Sequence, residues 1–555
     1  MNFKPSITST IKPLLLVLAV AALTVFFIYS QVMRYSLFIP VLFLVLIAVT
    51  LLSKRYSVVH PHIIKILLLS ILVYVSLDYG IFFPRAKYTQ LIGFFSAILL
   101  PVIFFYPRLM TYFNLALMLF FPSSLYGVSL QHGASKVTEL IVSFGGLFSR
   151  GASKWGISYV NILLILTAIS IMFRMIIKKQ DDDGHISCNL YKYFWTFNAL
   201  FFIYILWGIN LRVGMMNILS SRGVINITNL GILVFIMHRM FRTEKDFEQL
   251  KMFFLSSMIV RGVWSVFRFI FFGGDIRNPY ANFEAMKAVK ISIFDIGDGV
   301  IQCIALFYAL FMLLNMGDRI LSKKASFFYW MIASIGLFNI LFSYRRTAWF
   351  GLLIAFAWLM LNLRAEKRIV AGLIGIIVIL TIFTGVAASR FTDVEKRKQG
   401  IFYDVATKKG DIKIKEGRFE ELYAAWNTIK DNLLFGLGPW GKYNVVRNEQ
   451  KELSDMTHSS VFHMLLKMGI IGLFIFILIF YGYIHFWLTK RNEIPLHVRG
   501  FAEACFAGFL FFVPGILWGT PIVEYRHMLL LGFCLSMPYI IYHINKSQNK
   551  AVSPV

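Results

Sequence analysis

The sequence predicts an all-α protein, a polytopic transmembrane helix bundle of about 14–16 spans with one long outer-face helical loop domain. Of its 555 residues, 58% are hydrophobic and only 15% are charged, and the mean hydropathy is +0.70. A soluble protein carries about 25% charged residues. The composition therefore excludes a soluble enzyme, a disordered chain and a secreted disulfide scaffold.

Apolar runs of about 20 residues define the spans. The candidate spans are residues 13–31, 36–52, 63–83, 91–106, 112–130, 157–177, 193–211, 224–240, 252–273, 299–316, 326–344, 347–363, 369–389, 459–488, 501–519 and 522–543. The first run has no small-residue cleavage site, so we expect a retained anchor. No internal repeat suggests an inverted-repeat transporter.

Basic residues in the short loops predict the orientation. If the spans alternate, every one of these clusters falls on the same side: Lys54/Arg55, Arg174/Lys178/Lys179, Arg239/Arg242/Lys245, Arg319/Lys323/Lys324, Arg364/Lys367/Arg368 and Lys490/Arg491. Short cytoplasmic loops are rich in Lys and Arg, so both termini are expected in the cytoplasm. The net charge of +27 suits anionic lipids and anionic substrates, and the apolar background argues against a nucleic-acid partner.

One long polar stretch divides the chain into four predicted regions. Residues 1–325 form an N-terminal helix array, and residues 326–389 form a hairpin with outer arginines and the span that follows it. Residues 390–457 are the polar stretch and form an outer loop domain, since long loops cross the membrane regardless of charge. Residues 458–555 form the C-terminal spans.

The outer loop contains an amphipathic helix. In residues 416–430, EGRFEELYAAWNTIK, one face carries Phe419, Leu422, Tyr423, Trp426 and Ile429, and the other carries Glu420, Glu421 and Lys430. This helix either lies on the membrane or caps a cavity. The alternative is a surface loop packed on a helix. The glycines of the following DNLLFGLGPWGKY segment indicate turns.

His458 stands immediately before a long apolar run, at the outer mouth of a span. Its ordinary role would be that of a solvated interfacial residue. Its alternative role is general base, because the unperturbed pKa of histidine lies near operating pH. Gly469 and Gly472 in the following span are interpreted as packing positions.

Arginines on the outer side form the second set of candidates. Arg345 and Arg346 lie in a hairpin between two spans, where an anionic diphosphate would suit a guanidinium, and lipid headgroup contact is the alternative. Arg261 and Arg268 share one face inside the ninth run. A charge at membrane depth costs about 2.5–3.5 kcal/mol, so a polar cavity or a partner is expected.

Further charged residues follow in the outer loops. Arg277 lies in the segment after the ninth run, and Asp295 and Asp298 are possible internal partners for the arginines. Arg268 is near the end of its span, so it could instead snorkel to the interface. In the loop GTPIVEYRH, Glu524 and Arg526 are expected on the outer side, where a mutual ion pair would contribute little.

Metal and cofactor sites are not predicted. The sequence has no HExxH, no CxxC pair and no nucleotide-binding fingerprint. The expectation is therefore a protein without a bound metal or cofactor.

Three segments together resemble the O-antigen ligase and O-antigen polymerase superfamily of bacterial membrane glycosyltransferases. The hairpin S-Y-R-R-T-A-W-F-G-L is similar to the family's Ser-Arg-small-Ala segment. The helix G-R-F-E-E-L-Y-A-A-W and the turn D-N-L-L-F-G-L-G-P-W-G are similar to its Arg…Trp helix and Pro-Leu-Leu-Gly turn, with Asn432 replacing the usual His-Pro pair. His458-Ser459 followed by Gly469 and Gly472 is similar to the ligase signature.

The resemblance implies a GT-C-like, metal-independent, inverting transferase in the bacterial inner membrane. It would take a glycan from undecaprenyl diphosphate on the outer face and join it to a hydroxyl of a glycan, of lipid A-core or of another acceptor. The carried-over catalytic residues are His458, Arg346 and Glu524, although the family has Asp at the last position. Arg346 is carried over as the diphosphate-binding residue, with Arg345 and Arg418 as further candidates. The family's earlier essential arginine corresponds to one of Arg277, Arg268 and Arg261, and Arg277 ranks first because of its expected side of the membrane.

Two questions stay open at this point. Ligase and polymerase are not separated, since the histidine signature favours a ligase and the high span count favours a polymerase. A polysaccharide flippase or secondary transporter is the alternative class, and it would line a path through the membrane with Arg261 and Arg268. An enzyme instead requires its arginines and His458 at one outer cavity.

Overall fold

The structure is a computed structural model that describes residues 106–120, 159–178, 186–271, 273–275, 290–316, 321–363, 365–380, 418–447 and 450–552. The spans predicted before residue 106 and the side chains of Arg277 and Arg418 lie outside the described residues. Within them the chain is helical apart from one two-stranded hairpin, and the all-α polytopic bundle is confirmed.

The described residues contain fourteen α-helices. They are α1 (Pro107–Phe120), α2 (Tyr159–Lys178), α3 (Leu190–Asn210), α4 (Met215–Ile218), α5 (Ile225–Met240), α6 (Glu244–Phe271), α7 (Ile296–Phe311), α8 (Lys323–Leu341), α9 (Arg346–Asn362), α10 (Ala365–Leu380), α11 (Arg418–Ile429), α12 (Ser460–Lys490), α13 (Leu496–Trp518) and α14 (Tyr525–Val552). A π-helical turn, Met312–Met316, extends α7.

Seven of the described helices are long and apolar enough to cross a membrane: α3, α6, α7, α8, α12, α13 and α14. Three more, α2, α5 and α9, contain shorter apolar stretches. Helices α7, α13 and α14 form the centre of the bundle, since 83%, 83% and 89% of their apolar windows are buried. Each described long helix from α2 onward coincides with one of the predicted spans.

Helices α9 and α13 run antiparallel, and the connections of the described helices gather at two distinct ends of the bundle. Gly351 of α9 packs on the backbone of Phe511 in α13. Further along α9, Trp358 donates a hydrogen bond to Glu503, which lies earlier in α13. We call the end that holds residues 291–295, 342–345, 418–447, 450–459 and 519–524 the loop end. The opposite end carries Arg174, Arg239, Arg242, Lys245, Lys323, Lys324, Lys367, Arg368, Lys490 and Arg491.

The loop region before α12 contains a hairpin that the sequence interpretation missed. Strand β1 (Tyr443–Arg447) pairs antiparallel with β2 (Gln450–Ser454), so the described part of the loop domain is not purely helical. A small core of Ala425, Ile429, Tyr443, Val445 and Leu466 joins α11 and the hairpin to α12. This core fixes α11 against the loop end of the bundle.

Helix α12 is broken at Gly469, where φ is +63°. The interpretation of Gly469 as a packing position was incomplete, because its conformation is left-handed and strongly favours glycine. A Cβ atom there would lie 2.2 Å from the carbonyl oxygen of Leu434. The break therefore accommodates the turn that follows α11.

Candidate active site

Two connections meet at the loop end and fix the start of α12. The Ser460 amide donates to the carbonyl of Gly519 over 2.8 Å, and the Thr520 hydroxyl donates to the carbonyl of Thr457 over 2.5 Å. Thr457, Ser459 and Ser460 are buried. His458 is thus held on a fixed backbone between these anchored residues, one residue before the cap of α12.

The side chain of His458 pairs with a carboxylate that comes from α11. Nδ1 of His458 contacts Oε2 of Glu421, and the backbone amide of His458 donates to Oε1 over 3.0 Å. The Tyr443 hydroxyl donates to the same Oε1 over 2.9 Å. The His458 side chain is 39% exposed, whereas that of Glu421 is 10% exposed. The carboxylate is therefore inside the loop domain and the imidazole is at its surface.

The surroundings of Glu421 favour its ionised form. Burial raises the pKa of this carboxyl, but the hydrogen bonds and charge of His458 and the hydrogen bond of Tyr443 outweigh burial, so that the pKa is lowered. An ionised carboxylate only accepts hydrogen bonds, so Nδ1 of His458 carries a proton. In the neutral imidazole, Nε2 is then the basic nitrogen.

Glu421 is the functional candidate that sequence reasoning missed, because it was assigned to the polar face of α11. The observed buried face is Glu421, Ala425 and Ile429, while Tyr423 and Trp426 are 69% and 40% exposed. The spacing of four residues between Glu421, Ala425 and Ile429 was the available signal. The aromatic residues of the same helix form a stronger pattern, and the sequence interpretation followed that pattern instead of this spacing.

The carboxylate of Glu524 contacts a histidine on the next helix, α14. Its Oε2 is 3.3 Å from Nδ1 of His527, the third residue after it. Arg526, which was expected on the outer surface beside Glu524, is fully buried. The surface position expected for Arg526 was wrong, because α14 begins at Tyr525, one residue before Arg526, and this turns the Arg526 side chain into the bundle.

Arg526 and Arg261 form a buried ionic network with two aspartates. Arg526 bonds to Oδ2 of Asp295 over 2.7 Å and to Oδ1 of Asp298 over 2.5 Å. Arg261 also pairs with Asp298 and donates to the carbonyls of Leu119 and Phe120 over 3.0 and 2.8 Å. The predicted use of Asp298 as a partner agrees with this geometry. The network ties α6, α7 and α14 to the end of α1.

Arg268 is also engaged by groups of the protein. It pairs with Asp275 at 3.0 Å and donates to the carbonyl of Ser292 over 2.9 Å. Ser292 bonds in turn to the carbonyls of Phe342 and Asn339 at the end of α8. Arg268 therefore holds the segment before α7 against the end of α8. Its side chain is bound within the protein and does not snorkel to the interface.

The arginine hairpin lies at the same end of the bundle as His458. The guanidinium of Arg345 stands 4.2 Å from the centre of the Phe294 ring, and α9 begins at Arg346. One turn further, the rings of Phe350 and Trp518 are 6.3 Å apart. Trp518 precedes the Gly519–Thr520 connection that anchors His458. Arg345, Arg346 and His458 are thus linked through the end of α13.

One group of described residues has the composition of a metal site. Ligand atoms of Asp295, Glu524 and His527 lie within 4.8 Å of one another. Asp295 already accepts bonds from Arg526, His527 and the amide of Gly297. The ionic network satisfies this carboxylate, so the geometry by itself gives no reason to invoke an ion.

The bundle and its loop end define a multi-pass membrane protein with a histidine–carboxylate pair on an anchored loop. Residues 331–477 match the family model described as O-Antigen ligase, which supports membership of the O-antigen ligase/polymerase family and confirms the resemblance. All three motifs lie within the matched residues, as do Arg346, Glu421 and His458. Glu524, Arg261 and Arg268 lie outside them. The comparison with curated proteins gave no match.

Proposed function

We propose that the protein is a glycosyltransferase that moves a glycan from undecaprenyl diphosphate to an acceptor hydroxyl during surface polysaccharide synthesis. The observation that carries this proposal is the His458–Glu421 pair, which stands at the loop end inside the family-matched segment. A multi-pass bundle suits a substrate with a long lipid tail, because the tail can remain between helices while the sugar is at the surface.

The proposed reaction is a single displacement. The acceptor oxygen attacks the anomeric carbon, its bond to the sugar forms, and the bond from that carbon to the diphosphate oxygen breaks. The diphosphate leaves with the electron pair. The acceptor proton passes to Nε2 of His458, whose growing positive charge is stabilised by Glu421. One displacement inverts the anomeric centre.

Arginine would stabilise the negative charge that develops on the leaving diphosphate. Arg346 and Arg345 are the first candidates because their hairpin stands at the loop end and inside the family-matched residues. Arg277 and Arg418 remain proposed diphosphate-binding residues. Arg261 and Arg268 already bind carboxylates and carbonyls of the protein, which favours a structural role for both. One well-placed donor contributes about 3–4 kcal/mol.

We further propose that the loop end faces outward from the bacterial cytoplasmic membrane and that both termini are cytoplasmic. The basic residues gathered at the opposite end support this orientation. Glu524 remains a weaker proposal for the family's late carboxylate, since its described contact is with His527.

The test is a reaction of the purified protein with a lipid-linked repeat unit, with and without lipid A-core and with and without a chelator. Long chains on the carrier indicate a polymerase, and product on the core indicates a ligase. Unchanged turnover in the chelator supports metal independence. A flippase or transporter would instead move the lipid-linked glycan across sealed vesicles without forming a new glycosidic bond, and that result would contradict the proposal.

A further inference from the structure

The turn that follows α11 is inserted into the break of α12. The Leu437 amide donates to the carbonyl of Leu466 over 2.8 Å, and the Ile470 amide donates to the carbonyl of Leu433 over 2.9 Å. In a continuous helix, the Ile470 amide would bond to the Leu466 carbonyl. The turn therefore supplies a new partner to both groups of the helical hydrogen bond that the break at Gly469 removes.

Two glycines allow this contact between backbones. Gly436 has a φ of +65°, and a Cβ atom on it would lie 2.7 Å from the amide nitrogen of Gly469. In the reverse direction, a Cβ atom on Gly469 would lie 2.2 Å from the carbonyl oxygen of Leu434. The Tyr204 hydroxyl of α3 also donates to the carbonyl of Phe435. The turn is thus held between α3 and α12.

The turn is well below the helix ends that surround it. Gly469 is nine residues into α12, which is about 14 Å along the axis, and Tyr204 is six residues, about 9 Å, from the end of α3. Irregular backbone at membrane depth is tolerated where its polar groups are satisfied by protein. The hydrogen bonds to α3 and α12 fulfil that condition.

Two side chains of the turn face away from the protein, while Leu433 and Leu437 pack against the small core of the loop region. Leu434 and Phe435 are 61% and 54% exposed. They adjoin the break of α12, whose exposed side chains beyond it are apolar: Ile470, Phe474 and Ile477. The exposed face of α3 around Tyr204 is apolar too: Phe202, Ile203 and Leu206. Exposed apolar side chains on membrane-spanning helices contact lipid.

We propose that residues 433–437 form a re-entrant turn whose Leu434 and Phe435 side chains contact the hydrocarbon of the bilayer. The partner is the lipid acyl chain, because the exposed apolar surface of the turn continues the lipid-facing surfaces of α3 and α12. The turn would fix the depth of α11 and of Glu421 relative to the membrane. This inference does not depend on the proposed reaction.

Nitroxide labelling of the full chain tests the proposal. The four native cysteines are buried, so single-cysteine variants can be labelled against a low background. We would label Leu434→Cys and Phe435→Cys in vesicles of phosphatidylethanolamine and phosphatidylglycerol. Relaxation by oxygen, which concentrates in hydrocarbon, would be compared with relaxation by a water-soluble nickel chelate. Phe474→Cys on α12 is the lipid-facing control, and Glu420→Cys on the exposed face of α11 is the aqueous control.

The expected oxygen-to-nickel ratio at positions 434 and 435 is close to that at 474 and several-fold above that at 420. A ratio equal to that at 420 would place the turn in water and overturn the proposal. Exclusion of both reagents would mean that the turn is covered by other parts of the chain, which would also overturn it. Size-exclusion chromatography of each variant checks that the protein is folded.

A second variant tests the insertion into α12. Gly469→Ala should displace the turn, because the new methyl group meets the Leu434 carbonyl and the residue must keep a positive φ. The label at 435 should then become several-fold more accessible to nickel, while the label at 474 is unchanged. Gly214→Ala is the matched control, since nothing lies within 4 Å of its new Cβ. An unchanged label at 435 would contradict the docking.

Discussion

The His458–Glu421 pair shows how a side chain can be positioned by a residue far from it in sequence. Glu421 comes from α11, and the hairpin of β1 and β2 separates it from His458. Its two oxygens bind the imidazole, the His458 amide and the Tyr443 hydroxyl. This arrangement orients the imidazole and determines which of its nitrogens is protonated.

Glu421→Gln should lower the turnover number by about 100-fold, within the 10²–10⁴-fold that general base catalysis contributes. An amide cannot stabilise the charge that develops on His458. The KM for the lipid-linked donor should change little, since Glu421 acts through His458. Kinetics of the purified variant would measure both constants.

Glu420→Gln is the matched control, because Glu420 is the neighbouring carboxylate and is exposed. Its turnover number should equal that of the wild type. Equal turnover in the Glu421→Gln and Glu420→Gln variants would remove Glu421 from the site.

Because the pKa of Glu421 is lowered in the fold, the stability that its contacts contribute is present above about pH 4.5 and is lost as the pH falls below that value.

Arg346→Lys should reduce turnover severely, because a point charge does not replace the planar fork of a guanidinium on a diphosphate. A loss of about 100-fold is expected, comparable to the removal of one transition-state donor. Arg345→Lys should have a smaller effect, since Arg345 packs on Phe294. A near-normal rate for Arg346→Lys would argue for lipid contact instead.

At the scale of the elements, α9 and α13 are packed closely enough that their contact determines where the arginine hairpin stands. A Cβ atom on Gly351 would lie 2.3 Å from the carbonyl oxygen of Phe511. Gly351 is five residues from Arg346, and the Phe350–Trp518 contact is adjacent. A displacement of α9 here would move Arg346 away from the His458 loop.

Gly351→Ala should therefore reduce turnover by about 10-fold or more, since misplacement of a binding group by about 1 Å can cost 100-fold. The thermal midpoint should also fall. Gly372→Ala on α10 is the control, because its new Cβ would meet only the end of Met360 at 3.7 Å. Wild-type turnover for Gly351→Ala would show that the α9–α13 spacing does not determine the site.

Sequence patterns predicted the elements better than they predicted the contacts. The apolar runs predicted the long described helices, and the order of the three motifs predicted the family. The hairpin of β1 and β2 was missed because its strands lie in a polar stretch. The partners of Arg526 and Glu421 were missed because they depend on where α14 and α11 begin, and a shift of one residue rotates a side chain by about 100°.

At the scale of the whole molecule, buried ion pairs between arginine and aspartate side chains hold the loop end together. Arg526 and Arg261 share Asp298, and Arg268 binds Asp275. Removal of one member of such a pair leaves an uncompensated buried charge and costs about 3–5 kcal/mol. The intramembrane arginines that suggested a transport path thus have partners within the protein.

The proposed orientation predicts different accessibility at the two ends. In intact cells, a membrane-impermeant maleimide should label Lys442→Cys at the loop end and should not label Lys323→Cys at the basic end. Both positions are exposed. Permeabilised cells, in which both variants should react, provide the control. The reverse pattern would place the candidate site in the cytoplasm and contradict the proposed reaction.

The most direct measurement is the turnover of a lipid-linked glycan by purified His458→Ala protein beside the wild type. If His458 accepts the proton of the acceptor hydroxyl, the variant should be folded, should bind the donor normally and should lose turnover by about 10²–10⁴-fold. Wild-type turnover in folded His458→Ala protein would contradict the assignment of His458 as the base.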